Sequence, residues 1–504
     1  MVSRLQYGWQ RVGVCIGIFG VIAASLSGCG GGTSGVGGSA GGSNLPPPTP
    51  GPYTGRAACS ANPHQNGRAR WTILIYMQAA NNLQPYSLEN VAQMASVGSD
   101  SNINIVLQWK QIPASKTNNC PDCNPSFYGV RRYLIHQHSQ ADINAISNGD
   151  TRPLNSDRLP DPPGNTPVNT TGFKDTLPDP NGRPNGTEDM GSYQALADFV
   201  RWGTQTFPAD NVALVIWDHG SGWLNVYRSA ESKVAPPNVG TRAVAEDDEY
   251  TDEIETWELP QALAAAAQPI DMLILDCSLE QMIEVAYEVR HSARIMVGSE
   301  ESPPAPGYPY DKWLGDLKAS GGTFTDCDLG NAIIHEFIND PLYVNNTGGY
   351  ASELTQSMID LSRMDSTASA LDNFGAVLSI HVNDQQNLFY RLRQDPNFQN
   401  RQLGGAQHYT TSYRDNKDLW DYAELVRTGT SDTDMQQAAI AMENALTGPD
   451  GAILESMHGP AGQDGSHGLA VYVPAPSGFI NSYYNLAITR AAPHWPRFLL
   501  AQVK

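Results

Sequence analysis

Basic residues are scarce in this chain: Lys and Arg number 31 against 52 Asp and Glu, a formal net charge of −21 over 504 residues. An excess of that sign argues against a nucleic-acid surface. It mildly favours basic substrates. Long apolar runs are missing too. The longest candidate, Val12 to Leu26, is too short to span a bilayer as a mature helix. Cysteines number only seven. Cys120-Pro-Asp-Cys123 is followed by no second pair at zinc spacing, so no metal site is assigned. No internal repeat is apparent.

Arg4 and Arg11 precede the apolar stretch, which ends in Leu26-Ser27-Gly28-Cys29. That tetrapeptide resembles a bacterial lipoprotein signal, with residues 1–28 removed and Cys29 lipidated. Residues 29–66, Gly/Ser-rich and then Pro-rich, would be the flexible tether that such an anchor needs. Covalent lipid implies a protein anchored to a membrane without spanning it. The expected location is the bacterial cell envelope, at the outer membrane or cell surface. An oxidising compartment favours disulfides among the remaining Cys59, Cys120, Cys123, Cys277 and Cys327. The Asn/Pro-rich text around Cys120 and Cys123 reads as a loop with a structural disulfide inside it or leading from it. Five cysteines cannot all pair internally. Cys277, on an apolar strand tip, is the natural free thiol, although parity does not identify it.

Strand-like runs lie at 72–77, 104–109, 212–217, 272–275 and 294–298, with helical patterns at 87–95, 193–205, 258–267 and 281–290. Such alternation predicts an α/β sheet with parallel strands and helices on both faces. A Pro/Asn/Gly-dense insertion fills 148–187 and reads as a surface loop. Past Gly349 a long helical stretch (364–393), a segment around 421–427 and a strand at 468–473 suggest a mostly helical lobe with added strands. The expected division is 67–348 for the main domain and 349–504 for this lobe.

Two strand tips carry the chemistry. Leu214-Val-Ile-Trp-Asp-His219-Gly-Ser-Gly-Trp223 ends an apolar run in a histidine, whose ordinary pKa of about 6.5 suits a general base or acid. Met272-Leu-Ile-Leu-Asp276-Cys277-Ser278-Leu-Glu280 ends in a carboxylate, a thiol and a hydroxyl. Neighbouring strands lie roughly 4.8 Å apart, so base and nucleophile come within reach. Each residue also has a plain structural reading: a histidine at a strand–loop corner, a small buried cysteine, an aspartate capping a turn.

Taken together, the segments resemble the clostripain family of cysteine peptidases. The opening block Trp71-Thr-Ile-Leu-Ile-Tyr-Met-Gln-Ala-Ala-Asn81-Asn82-Leu83, Glu188-Asp-Met-Gly191 and the histidine block from Phe207 to Trp223 are similar to that family's. So are Asp276-Cys-Ser-Leu279, Glu284-Val-Ala-Tyr287, Gly298-Ser-Glu-Glu301 and Pro306-Gly307-Tyr308. Weaker likenesses at 358–362, 418–422 and 468–474 carry it almost to the C-terminus. The resemblance implies a caspase-like α/β/α sandwich with a mainly parallel sheet, related to gingipains and legumains. It also implies a His/Cys dyad that cleaves proteins or peptides after Arg or Lys. By match, His219 is the base and Asp276 holds the basic side chain.

One position departs. The family's text is Asp-Ala-Cys-Leu, and Asp276, Leu279 and Glu284-Val-Ala-Tyr287 fix the register without a gap, so Ser278 takes the nucleophile position and Cys277 the alanine. Successive residues of a strand point to opposite faces, so Cys277 replaces the nucleophile only through a bulge or shift. Gln78 and Ala80 depart as well, where the family often has Ala and Asp. The readings are a cysteine endopeptidase using Cys277, a protein with a Ser278 nucleophile, and a catalytically inactive surface binding protein. The sequence itself requires no cofactor. The family allows calcium, and the acidic run from Glu246 to Glu258 is its candidate site, although the spacing is not that of an EF-hand. Arg228, Lys233 and Arg242 are candidate self-processing sites.

Overall fold

The computed structural model describes residues 58–60, 62–117, 120–121, 123–224, 244–346, 349–394, 404–409, 413–460 and 462–502. The signal and tether up to residue 57, and the candidate processing residues Arg228, Lys233 and Arg242, lie outside them.

Nine strands make one sheet: β1 (Ala69–Gln78), β2 (Ile103–Gln111), β3 (Gly129–Leu134), β4 (Arg158–Leu159), β5 (Ala209–Trp217), β6 (Ile270–Asp276), β7 (Ala293–Gly298), β8 (Thr355–Asp360) and β9 (Ile453–His458). Their spatial order is β9-β8-β7-β6-β5-β1-β2-β3-β4. The central five (β7, β6, β5, β1 and β2) run parallel, and antiparallel strands extend both edges. This is the caspase-like sandwich expected from the sequence.

Both faces of the parallel strands are apolar because both are covered. On β1, Leu74 and Tyr76 enter one core while Ile73, Ile75 and Met77 enter the other. The first core is roofed by α2 (Tyr193–Thr206) and α3 (Ile283–Val289) together with the C-terminal helices. The second is roofed by α1 (Gln84–Val97), α4 (Tyr310–Ala319) and α5 (Asp326–Ile338).

Residues beyond 349 add β8 and β9 to this same sheet and lay α6 (Met364–Ile380), α7 (Leu419–Gly429) and α8 (Thr433–Thr447) on one of its faces. The helical stretch read at 364–393 is two helices, broken between residues 380 and 386. The 148–187 insertion, expected as a surface loop, instead supplies the edge strand β4 and is otherwise largely irregular chain pinned by buried ion pairs. Buried Arg131 pairs with Asp175 at 2.6 Å and Arg158 with Asp161 at 2.7 Å, while Thr166 and Pro167 pair with residues 186–187.

The first described residues are fastened at the amino-terminal ends of the strands. Cys59 is bonded to Cys327 on α5, and the Asn62 amide donates to the Asp210 carbonyl (2.7 Å) and to Asn211 (2.6 Å) at the start of β5. The chain therefore enters at the pole opposite the carboxyl ends of β5 and β6. Among the described residues no helix is long and apolar enough to cross a membrane.

Candidate active site

The sheet order reverses between β1 and β5, because the chain moves from β1 outward to β2 and returns to β5 on the other side. Ligand crevices form at such switch points, outside the carboxyl ends of the strands. Trp217 of β5 pairs with Asp276 of β6, so the two chemical tips leave the sheet level with one another. A cleft of about 150 Å³ opens there, lined by Leu83, Trp217 to His219, Asp276 to Ser278, and the segment from Ser302 to Ala305 with Gly307.

The two tips are locked together by Glu280 and Gly220. The fully buried Glu280 carboxylate accepts the backbone N–H groups of Ser221 (3.0 Å) and Gly222 (2.9 Å), fixing the loop after the histidine. A Cβ on Gly220 would lie 2.6 Å from the Ser278 carbonyl oxygen, so only glycine lets the tips approach this closely. Burial pushes the Glu280 carboxyl well above its ordinary range.

His219 is half-buried, and its Nε2 lies 2.6 Å from the Asn82 side-chain oxygen at the tip of β1. Desolvation holds its pKa below 6.5, partly opposed by Glu246, so the ring is neutral near pH 7. The preceding residues are braced as a unit. Asn81 donates to the buried Asp218 carboxyl at 2.5 Å and to the Glu246 carbonyl at 2.9 Å. Burial drives the Asp218 carboxyl well above its ordinary value.

The strand alternation continues through the second tip and separates the thiol from the hydroxyl. Leu273, Leu275 and Cys277 belong to one core, Met272 and Ile274 to the other. Cys277 is 1% exposed, and burial next to Glu280, Asp276 and Asp218 pushes its pKa well up. A buried, electronegative setting is the opposite of what makes a thiolate. The following helix does not offset it, because α3 begins only at Ile283. Ser278 is half-buried in the cleft wall, and its Oγ lies 2.8 Å from Ser302 Oγ. Among the described residues its hydroxyl makes no hydrogen bond to His219. Leu279 next turns the chain with φ +64°, a conformation few non-glycine residues adopt.

Asp276 is 4% exposed and faces the cleft from below. It accepts Tyr310 Oη–H at 2.9 Å and the Tyr308 N–H at 3.3 Å. Burial outweighs these bonds and raises its pKa from 3.8 to about 7. Gly307, at φ +69°, arches over it, and a Cβ there would stand 3.0 Å from its oxygen.

Residues 75–497 match the model of the clostripain family, Peptidase_C11. The chain belongs to the clostripain family. Clostripain from Hathewaya histolytica is 23% identical over 471 residues, which cover 86% of this chain and 79% of that protein. Among solved structures, a secreted C11 cysteine protease from Bacteroides thetaiotaomicron in complex with an irreversible peptide inhibitor superposes with a TM-score of 0.52 at 15% identity. That match covers 84% of this chain and 99% of the other. An inactive zymogen C11 protease from Parabacteroides distasonis gives 0.51 at 16% identity, covering 85% and 99%. These likenesses show that the clostripain-family fold is shared.

The other sequence candidates are distributed as follows. Cys120 is bonded to Cys123 in its own loop and Cys59 to Cys327, and among the described residues Cys277 is the free thiol. In the acidic run, the buried ammonium of Lys110 lies 2.7 Å from Asp247 and 3.1 Å from Glu249 and donates to the Glu188 carbonyl at 2.8 Å. Asp247 and Glu249 thus already hold a lysine, and among the described residues no three carboxylates of the run converge as ligands to one ion would. Asn82, Glu280, Ser302 and Tyr310 were not singled out from the sequence.

Proposed function

We propose that this clostripain-family protein binds peptides through an Arg or Lys side chain held at Asp276, and that its peptide-bond hydrolysis is vestigial. The observation that carries this is the state of the nucleophile position. The Ser278 hydroxyl is hydrogen-bonded to Ser302 while His219 is held by Asn82. A thiol ionises readily and can attack without a tight base contact, whereas a hydroxyl must surrender its proton to a base within hydrogen-bond reach as it attacks. The burial of Cys277 counts against the thiol as nucleophile. The support for a basic side chain is a carboxyl group lining the cleft beneath Gly307, which pairs with a cation when ionised.

The test is Ser278→Cys, which puts a thiol on the face that meets the cleft. Peptide reporters ending in Arg or Lys should bind the native protein with at most residual turnover, and the variant should cleave them on the order of 10²-fold faster than that residual rate, or more. Native turnover abolished by Ser278→Ala would instead establish a serine-type peptidase. Turnover and thiol labelling lost in Cys277→Ala would establish the cysteine endopeptidase.

We further propose that lipid on Cys29 tethers the protein to the cell envelope. Incorporation of a labelled fatty acid, lost in Cys29→Ala, tests it.

A further inference from the structure

We infer that Asn82 is a positioning residue that fixes the tautomer of His219, so that Nε2 carries the hydrogen and Nδ1 presents the lone pair to the cleft. The side-chain oxygen of Asn82, 2.6 Å from Nε2, accepts only, so the neutral ring must donate from Nε2. Among the described residues, Nδ1 makes no hydrogen bond to protein. His219 lines the cleft with Ser278, so a basic Nδ1 is the atom available to a substrate or a nucleophile. Asn82 is itself held in place, because the adjoining Asn81 is tied to Asp218 and Glu246 and accepts the Leu83 N–H at 2.9 Å. The loop between β1 and α1 is therefore a rigid bracket with one amide aimed at the base.

The choice of an amide matters electrostatically. Glu246, from the strand at 244–247, acts on the ring, and the titratable groups that share the cleft lining with it are Asp218 on its own tip and Asp276 and Cys277 at the tip of β6. A carboxylate in place of Asn82 would add a direct charge and favour the imidazolium. A neutral acceptor orients the ring and leaves it basic but uncharged.

The inference goes beyond the proposed peptide-binding function and is tested without turnover. Full-length protein is labelled with ¹⁵N-histidine, and the His219 ring signals are assigned by their loss in His219→Gln. Long-range ¹H–¹⁵N spectra should show Nε2 protonated in the native protein. Asn82→Ala should give a mixture of tautomers. Asn82→Asp should keep the Nε2–H form and move the ring's titration midpoint upward by about one pH unit or more. Asn82 is exposed, so these variants should fold. A native Nδ1–H tautomer, or a ring unaffected by both substitutions, would overturn the assignment. In the Ser278→Cys background the acidic limb of the pH–rate profile should follow the same shift. If that variant is inactive, the peptide-turnover expectation fails while the ring spectra still decide the role of Asn82.

Discussion

Asp276→Asn should make the protein more stable and less able to bind. Burial raises the Asp276 pKa from 3.8 to about 7, a difference of roughly three pH units, or about 4 kcal/mol at 1.36 kcal/mol per unit. The sign follows from linkage. Below about pH 4 the carboxyl is protonated in both folded and unfolded chains and costs nothing. Between about pH 4 and 7 the unfolded chain releases its proton while the folded chain keeps it, so stability falls. Above about pH 7 the full penalty is present. An asparagine oxygen can still accept from Tyr310 and the Tyr308 N–H but carries no charge to desolvate. The difference in thermal midpoint between variant and native protein should be near zero at pH 4 and grow to its maximum by pH 8. Binding of an Arg peptide behaves conversely, because the cation needs the ionised form. Native affinity should fall about tenfold for each pH unit below 7, and the variant's should be weak and flat. A variant equally or less stable at pH 8, or a stability difference independent of pH, would refute the reasoning.

Three further outcomes are expected. Lys110→Met strands the buried carboxylates of Asp247 and Glu249, and should cost about 3–5 kcal/mol in urea unfolding; an unchanged midpoint would show that the ammonium is dispensable. The thiol of Cys277 should react with an aromatic disulfide reagent only once the protein unfolds, and Cys277→Ala should leave peptide binding intact at a cost of about 1 kcal/mol. Gly307→Ala, which forces a Cβ to 3.0 Å from the Asp276 carboxylate at positive φ, should lose about 1 kcal/mol or more and weaken Arg-peptide binding, measured by melting and titration.

Much of the architecture was legible in the linear text because it is periodic. The runs at 72–77, 212–217 and 272–275 read as strands buried on both faces, and His219 and Asp276 read as their tips. The offset between Cys277 and Ser278 was legible from the resemblance to the family's text, and their opposite facing from the period-two alternation of a strand. Tertiary structure decided where each of those two faces leads. It sent the thiol into a core with Leu273 and Leu275 and set the hydroxyl beside Ser302, 24 residues away in sequence. It also brought Asn82 to His219 across 137 residues and Lys110 to Asp247 across the same span. Nothing local marks such pairs, because each partner satisfies a charge or hydrogen-bond requirement that only burial creates. The sequence therefore determined the fold and the order of the chemical groups along it. Packing alone decided which of those groups are ionised, oriented and open to a ligand, because desolvation and hydrogen bonding are properties of the surroundings.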